Sequence, residues 1–140
     1  MQISVLERRS EIGLRHTPAK KNETEHAHTP NVVPFRHLLE ARSIDIVMID
    51  LLRVGGITQW MKVAGMAEAF NLPVVSHLIP EIHVHLIAAI PNGLTAEYMP
   101  WTLQLYEETP KIESGQLVVP DKPGLGLAFD QAAIKRFQVG

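Results

Sequence analysis

The sequence predicts an α/β fold of about three parallel strand–helix units, followed by a strand–turn–helix tail. Three observations predict it. "IDIVMIDLL" (44–52) is β-branched and almost continuously apolar, as a strand covered on both faces should be. "TQWMKVAGMAEAFN" (58–71) gathers Trp60, Met61, Ala64, Ala67 and Phe70 on one helical face. Further strand-like and helix-like runs then alternate with short connections, the pattern of parallel βα units.

Taken in order, residues 1–34 form an unpatterned segment that is expected to be flexible, and the organised part is 35–140. "HTPAKKNETEHAHTPNVVP" (16–34) is polar, interrupted by proline, and has a period of neither 2 nor 3.6. "FRHLLEARS" places Phe35, Leu38, Leu39 and Arg42 at helical spacing. After the strand 44–52, "RVGGIT" reads as a turn, with Thr58 as N-cap of the next helix and Asn71 as its C-cap. "PVVSH" is the second strand, "PEIHVHLIAAI" a helix, "PNG" a turn and "LTAEYM" the third strand. In the tail, "GQLVVP" is a short strand and Asp130 to Phe137 an amphipathic helix. Such a tail is expected to pack on a neighbouring surface without extending a parallel sheet.

Composition narrows the partners. A chain of 140 residues suits one domain, and 46% hydrophobic with 20% charged residues is ordinary for a globular protein. A net charge of −2 argues against nucleic acid or an anionic membrane as partner. There is no cysteine, which excludes a disulfide framework, a thiolate zinc site and a cysteine nucleophile, and fits a reducing, cytoplasmic location. No apolar run approaches the roughly 18 residues of a membrane span. The N-terminus carries Arg8, Arg9, Arg15, Lys20 and Lys21 without the apolar core of a secretory signal, and Glu7 and Glu11 interrupt it as they would not a transit peptide.

Parallel βα folds place their active sites at the C-terminal ends of the strands. The three apolar runs stop at Asp50, His77 and Glu97. Singly, each has a plain structural reading: a turn cap, a hydrogen-bonded core histidine, a solvated strand end. Three successive strands ending in acid–base residues favour a shared site, because neighbouring strands lie roughly 4.8 Å apart. An aspartate that accepts a histidine's Nδ1–H leaves Nε2 free to take a proton. A glutamic acid nearby can serve an oxygen on which charge develops. Such a trio suits abstraction of a proton next to a carboxylate. Acyl transfer is disfavoured, since Ser76 should point to the face opposite His77.

With those residues in view, "IDLLRVGGITQWMKVAGMAEAFNLPVVSHLIPEIHVHLIAAIPNGLTAEYMPW" and the later "PGLGL" closely resemble the C-terminal part of the mandelate racemase subgroup of the enolase superfamily (the mandelate racemase/muconate lactonizing enzyme family). The shared motifs are D-x-x-[KR]-x-G-G-[IV]-T, S-H-x-x-x-E and a Glu ending the following strand. The resemblance implies the last part of a (β/α) barrel, left incomplete. It implies that Asp50 and His77 are a His–Asp dyad and Glu97 the acid across the substrate. It implies removal of the proton α to the carboxylate of an acid sugar through a Mg²⁺-stabilised enediolate, ending in dehydration or racemisation. The 34 residues before Phe35 are too few for the strands that carry the family's metal carboxylates, so no metal ligand is assigned and Mg²⁺ binding by this chain alone is not expected. "NETEH", with Glu23, stands near the place of one such ligand but has Asn22 for the family's glycine, and Ile49 stands where proline is common. Two readings stay open: an enzyme of this type, as a homo-oligomer or with a complementing chain, and a non-catalytic remnant serving as a small interaction or oligomerising domain.

Other features have structural readings. Gly55 and Gly56 suit a tight turn better than a phosphate cradle. His83 and His85, two apart, share no helical face for a metal. "HAH" (26–28) reads as solvated loop, and Arg53, a turn beyond Asp50, as either a substrate contact or surface.

Overall fold

In a computed structural model of the chain, residues 1–6 and 31–139 are described. Helix α1 (Val33–Glu40) starts slightly before the predicted Phe35. Pro34 occupies its first turn, where a missing N–H costs nothing, and the Val33 N–H donates to Asn31 Oδ1 at 2.6 Å. Phe35 and Leu39 are its buried face.

Strand β2 (Val47–Asp50) is shorter than the apolar run that predicts it. Asp50 ends it: its side chain accepts the N–H groups of Leu52 and Arg53 and so caps a one-turn helix, α2 (Leu51–Val54). Leu51 and Leu52, predicted as strand, are therefore helical. Gly55 and Gly56, with φ of 97° and 96°, swing the chain into α3 (Ile57–Ala69). The N-cap of α3 is Gly56, in place of the predicted Thr58, because the backbone needed there is one that glycine alone adopts without strain. Asn71 follows α3 in the left-handed conformation (φ 57°), and the Leu72 N–H closes on the Ala67 carbonyl at 2.9 Å.

Strand β3 (Val74–His77), helix α4 (Pro80–Ala88) and strand β4 (Gly93–Glu97) complete the predicted alternation. Strands β2, β3 and β4 are parallel neighbours. Val47 and Ile49 are buried in the core with Trp60, Val63 and Leu39, while Met48 between them is exposed, as the pleat demands.

Two further features, both in the sheet, differ from expectation. Gln2–Leu6, within the segment predicted to be unpatterned, forms strand β1 and lies parallel to β4, Leu6 opposite Glu97. The tail also joins the sheet, since β6 (Gln116–Val118) pairs antiparallel with β1 and carries the two-residue β5 (Ile112–Glu113) at its far side. Both depend on pairing between distant residues, which local pattern does not report. The sheet order is β2-β3-β4-β1-β6-β5, so it is mixed and does not close on itself. Helix α5 (Gln131–Phe137) is capped by Asp130, and Tyr106 stacks on Phe129 with ring centroids 5.1 Å apart. Among the described residues no helix is long and apolar enough to cross a membrane.

Candidate active site

The strand register brings the predicted trio together. Asp50 lies opposite His77, and the pairing of Val75 with Thr95 sets His77 level with Glu97 one pleat further on. All three sit at the C-terminal ends of their strands.

Asp50 is 3% exposed. One oxygen, Oδ1, accepts the Leu52 and Arg53 N–H groups at 2.8 and 3.1 Å. The other, Oδ2, lies 3.0 Å from His77 Nδ1 and 3.4 Å from Arg53 Nε. An ionised carboxylate can only accept, so Nδ1 carries the hydrogen and Nε2 is left as the basic nitrogen. His77 is about one-third exposed (32% for the side chain), which leaves the ring accessible from solvent.

Glu97 is fixed from two directions. Its Oε2 accepts the Leu78 N–H at 2.9 Å, and its own N–H donates to Ser76 Oγ at 2.9 Å. Ser76 is fully buried and takes no place beside the His77 ring. To aim its N–H at Glu97, Leu78 adopts φ 60°, and Ile79 follows at φ 34°, ψ 63°. Two successive non-glycine residues in this region cost about 1–3 kcal/mol each and persist only where surrounding contacts impose them.

Such contacts are present. His83, fully buried in α4, reaches back with Nδ1 to the carbonyls of Leu78 (2.8 Å) and Ile79 (3.3 Å). Burial pushes its imidazole below the ordinary histidine pKa, against a partial upward pull from those two carbonyls and from Asp50. Its ring lies 5.9 Å from that of Trp60, whose Nε1–H donates to the Ile49 carbonyl at 3.3 Å, one residue before Asp50.

The remaining candidates are placed as follows. Arg53 contacts Asp50. His85 turns away, its Nε2 3.1 Å from the Leu125 carbonyl in the "PGLGL" loop. Glu81, which closes the S-H-x-x-x-E motif, is 1% exposed with neither carboxylate oxygen hydrogen-bonded. Glu23 and "HAH" lie outside the described residues. Among the described residues no group of three or more His, Cys, Asp or Glu could hold a metal ion.

Sequence reasoning offered a turn cap at Asp50 only as the alternative to a place beside His77, whereas the structure gives it both. It missed the bond from Leu78 to Glu97, for which there was no signal, because it joins residues 19 apart through a backbone group.

Three parallel strands ending in acid, histidine and acid, with a Gly-Gly turn after the first, have the arrangement of a segment of an α/β barrel. The chain belongs to the enolase C-terminal domain-like family, whose model matches residues 23–133. D-xylonate dehydratase of Haloferax volcanii is 37% identical over 113 residues, covering 74% of this chain and 27% of that protein. The crystal structure of L-talarate dehydratase from Polaromonas sp. JS666, complexed with Mg and L-glucarate, matches with a TM-score of 0.71 and 36% identity over 75% of this chain and 29% of that one. A mandelate racemase/muconate lactonizing enzyme from the same organism matches with a TM-score of 0.73 and 35% identity over 77% and 30%. The chain thus spans less than a third of the length of these proteins. Its relatives include acid-sugar dehydratases and racemases, several crystallised with magnesium.

Proposed function

We propose that Asp50, His77 and Glu97 are the acid–base set of a site that removes the proton α to the carboxylate of an acid sugar. The observation that carries this reading is the 3.0 Å contact between Asp50 Oδ2 and His77 Nδ1 at adjoining strand ends, with Glu97 level beside them. Asp50 holds the tautomer that exposes Nε2, His77 takes the α-proton there, and the Asp50 carboxylate stabilises the resulting imidazolium. Glu97, carrying a proton, serves the oxygen on which charge develops. A proton delivered from solvent to the opposite face of that carbon then gives racemisation, or the β-hydroxyl takes the proton held by the His77 imidazolium and departs as water, giving dehydration. Mg²⁺ is the metal of the relatives' structures, but the described residues offer no donor cluster to fit it, so no step here is assigned to a metal. A homo-oligomer or a complementing chain is the partner through which the site would be completed.

The test is exchange of the C2 hydrogen of D-xylonate and L-talarate into D₂O, followed by ¹H NMR with and without millimolar Mg²⁺. Exchange by the wild type that falls by about 10²- to 10⁴-fold in His77→Asn supports the reading. Its absence in the wild type under both conditions refutes it for this chain. The chain's span of less than a third of its relatives' length favours a second reading in that event, a non-catalytic remnant acting as a small interaction or oligomerising domain.

A further inference from the structure

We propose that His83 is a positioning residue, a buried imidazole that clamps the left-handed Leu78–Ile79 turn and thereby holds His77 and Glu97 in their mutual setting. The Leu78 residue is gripped on both sides. Its N–H donates to Glu97 Oε2, and its carbonyl accepts from His83 Nδ1 at 2.8 Å. A carbonyl can only accept, so Nδ1 is the protonated nitrogen of a neutral ring and Nε2 is bare. Nε2 is buried without a hydrogen-bond partner. A second proton there would be a buried, unpaired donor, which is why the ring resists becoming cationic.

The turn needs such a clamp. It is built from leucine and β-branched isoleucine, with no glycine, at φ 60° and 34°, directly after His77. Released, it has every reason to return to negative φ and carry the Leu78 N–H away from Glu97. His83 also packs on Trp60, which holds the carbonyl preceding Asp50. One buried ring pair therefore braces the ends of both β2 and β3 from behind. His83 itself is fully buried and cannot touch a substrate.

This inference rests on the assignment of Asp50, His77 and Glu97 proposed above, and its test separates the two. In the wild-type protein, long-range ¹H–¹⁵N spectra should show His83 protonated at Nδ1 alone; the Nε2–H tautomer would overturn the clamp without any variant being made. His83→Asn keeps a donor near the Leu78 carbonyl, whereas His83→Leu fills similar space without one. Hydrogen exchange at the Leu78 amide should quicken by about 10-fold or more in His83→Leu, the equivalent of about 1.4 kcal/mol, and by less than about 3-fold in His83→Asn. Equal protection in all three proteins overturns the proposal. Where His83→Leu does not fold, the wild-type tautomer and the Leu78 protection of His83→Asn still decide. Donor-dependent protection in a protein that exchanges no substrate hydrogen upholds the clamp while the catalytic reading fails. Substrate exchange indifferent to His83→Leu does the reverse.

Discussion

Asp50 has two separable tasks, and two substitutions should pull them apart. Asp50→Ala removes both the cap on α2 and the acceptor of His77. Loss of the two backbone bonds at 2.8 and 3.1 Å should cost about 1–2 kcal/mol, as for other N-caps. The contacts of Oδ2 with His77 and Arg53 add less than about 1 kcal/mol, because those side chains are 32% and 39% exposed and water screens them. Asp50→Ala should therefore cost about 1–3 kcal/mol, or roughly 4–12 °C in Tm at about 4 °C per kcal/mol. Asp50→Asn keeps the capping oxygen and should cost less than about 1 kcal/mol. The amide Nδ2 would then face His77 Nδ1 and drive the imidazole to the other tautomer, with the hydrogen on Nε2. Both variants should lose substrate exchange, but only one should lose stability. Thermal unfolding followed by Trp60 fluorescence measures the stability, and ¹⁵N NMR of His77 the tautomer. Equal losses of Tm in the two variants, or an unchanged His77 tautomer in Asp50→Asn, would refute this division of labour.

Further outcomes follow from other contacts. Gly93→Ala should destabilise by about 1–3 kcal/mol in denaturant titration, since its new Cβ would stand 2.5 Å from the Ile87 carbonyl oxygen, which belongs to backbone and cannot swing aside. Trp60→Phe should cost about 1 kcal/mol or more by withdrawing the donor from the buried Ile49 carbonyl, again read by denaturant titration using Trp101. For His83 the sign is set by a folded-state pKa below the ordinary 6.5. As pH falls below that value the unfolded chain takes up a proton that the folded one refuses. Stability present above about pH 6.5 is then lost, by at most about 1.4 kcal/mol per pH unit, until the lowered pKa is passed. His83→Asn should flatten this acid limb relative to wild type in a pH series of unfolding curves.

The alternation of strand and helix from Phe35 to Glu97 could be read in advance because each element declares itself within its own few residues. Asp50, His77 and Glu97 stood out for the same reason, as polar stops to apolar runs. Where the sequence misled, a neighbour had intervened. Thr58 has the chemistry of a cap, yet Gly56 takes that position because the preceding Gly-Gly turn delivers the chain there. The run 44–52 is apolar throughout, but Asp50 bends its end into a helix by capping it. Gln2–Leu6 is too short, and too close to a charged stretch, to announce a strand. Its identity depends on β4 and β6, which lie far along the chain. The pairing of Trp60 with His83 was hidden because it links two helices separated by a strand in the sequence, and no spacing records such a meeting.

The placement of β1 has a consequence for how the molecule comes into being. Gln2–Leu6 precedes the other described strands in the sequence, yet it bonds to Gly93–Glu97 on one side and Gln116–Val118 on the other. Pairings this remote are slow to form, since the entropy of closing the loop is lost before any contact compensates for it. During synthesis the three parallel strands can assemble while the leading strand still waits for its second partner to emerge. β1 joins the parallel strands of the sheet to its antiparallel edge, so its pairing is complete only once β6 is available. A nascent chain stalled before Gln116 would hold β1 by one edge only, exposing a bare strand to its neighbours on the same message.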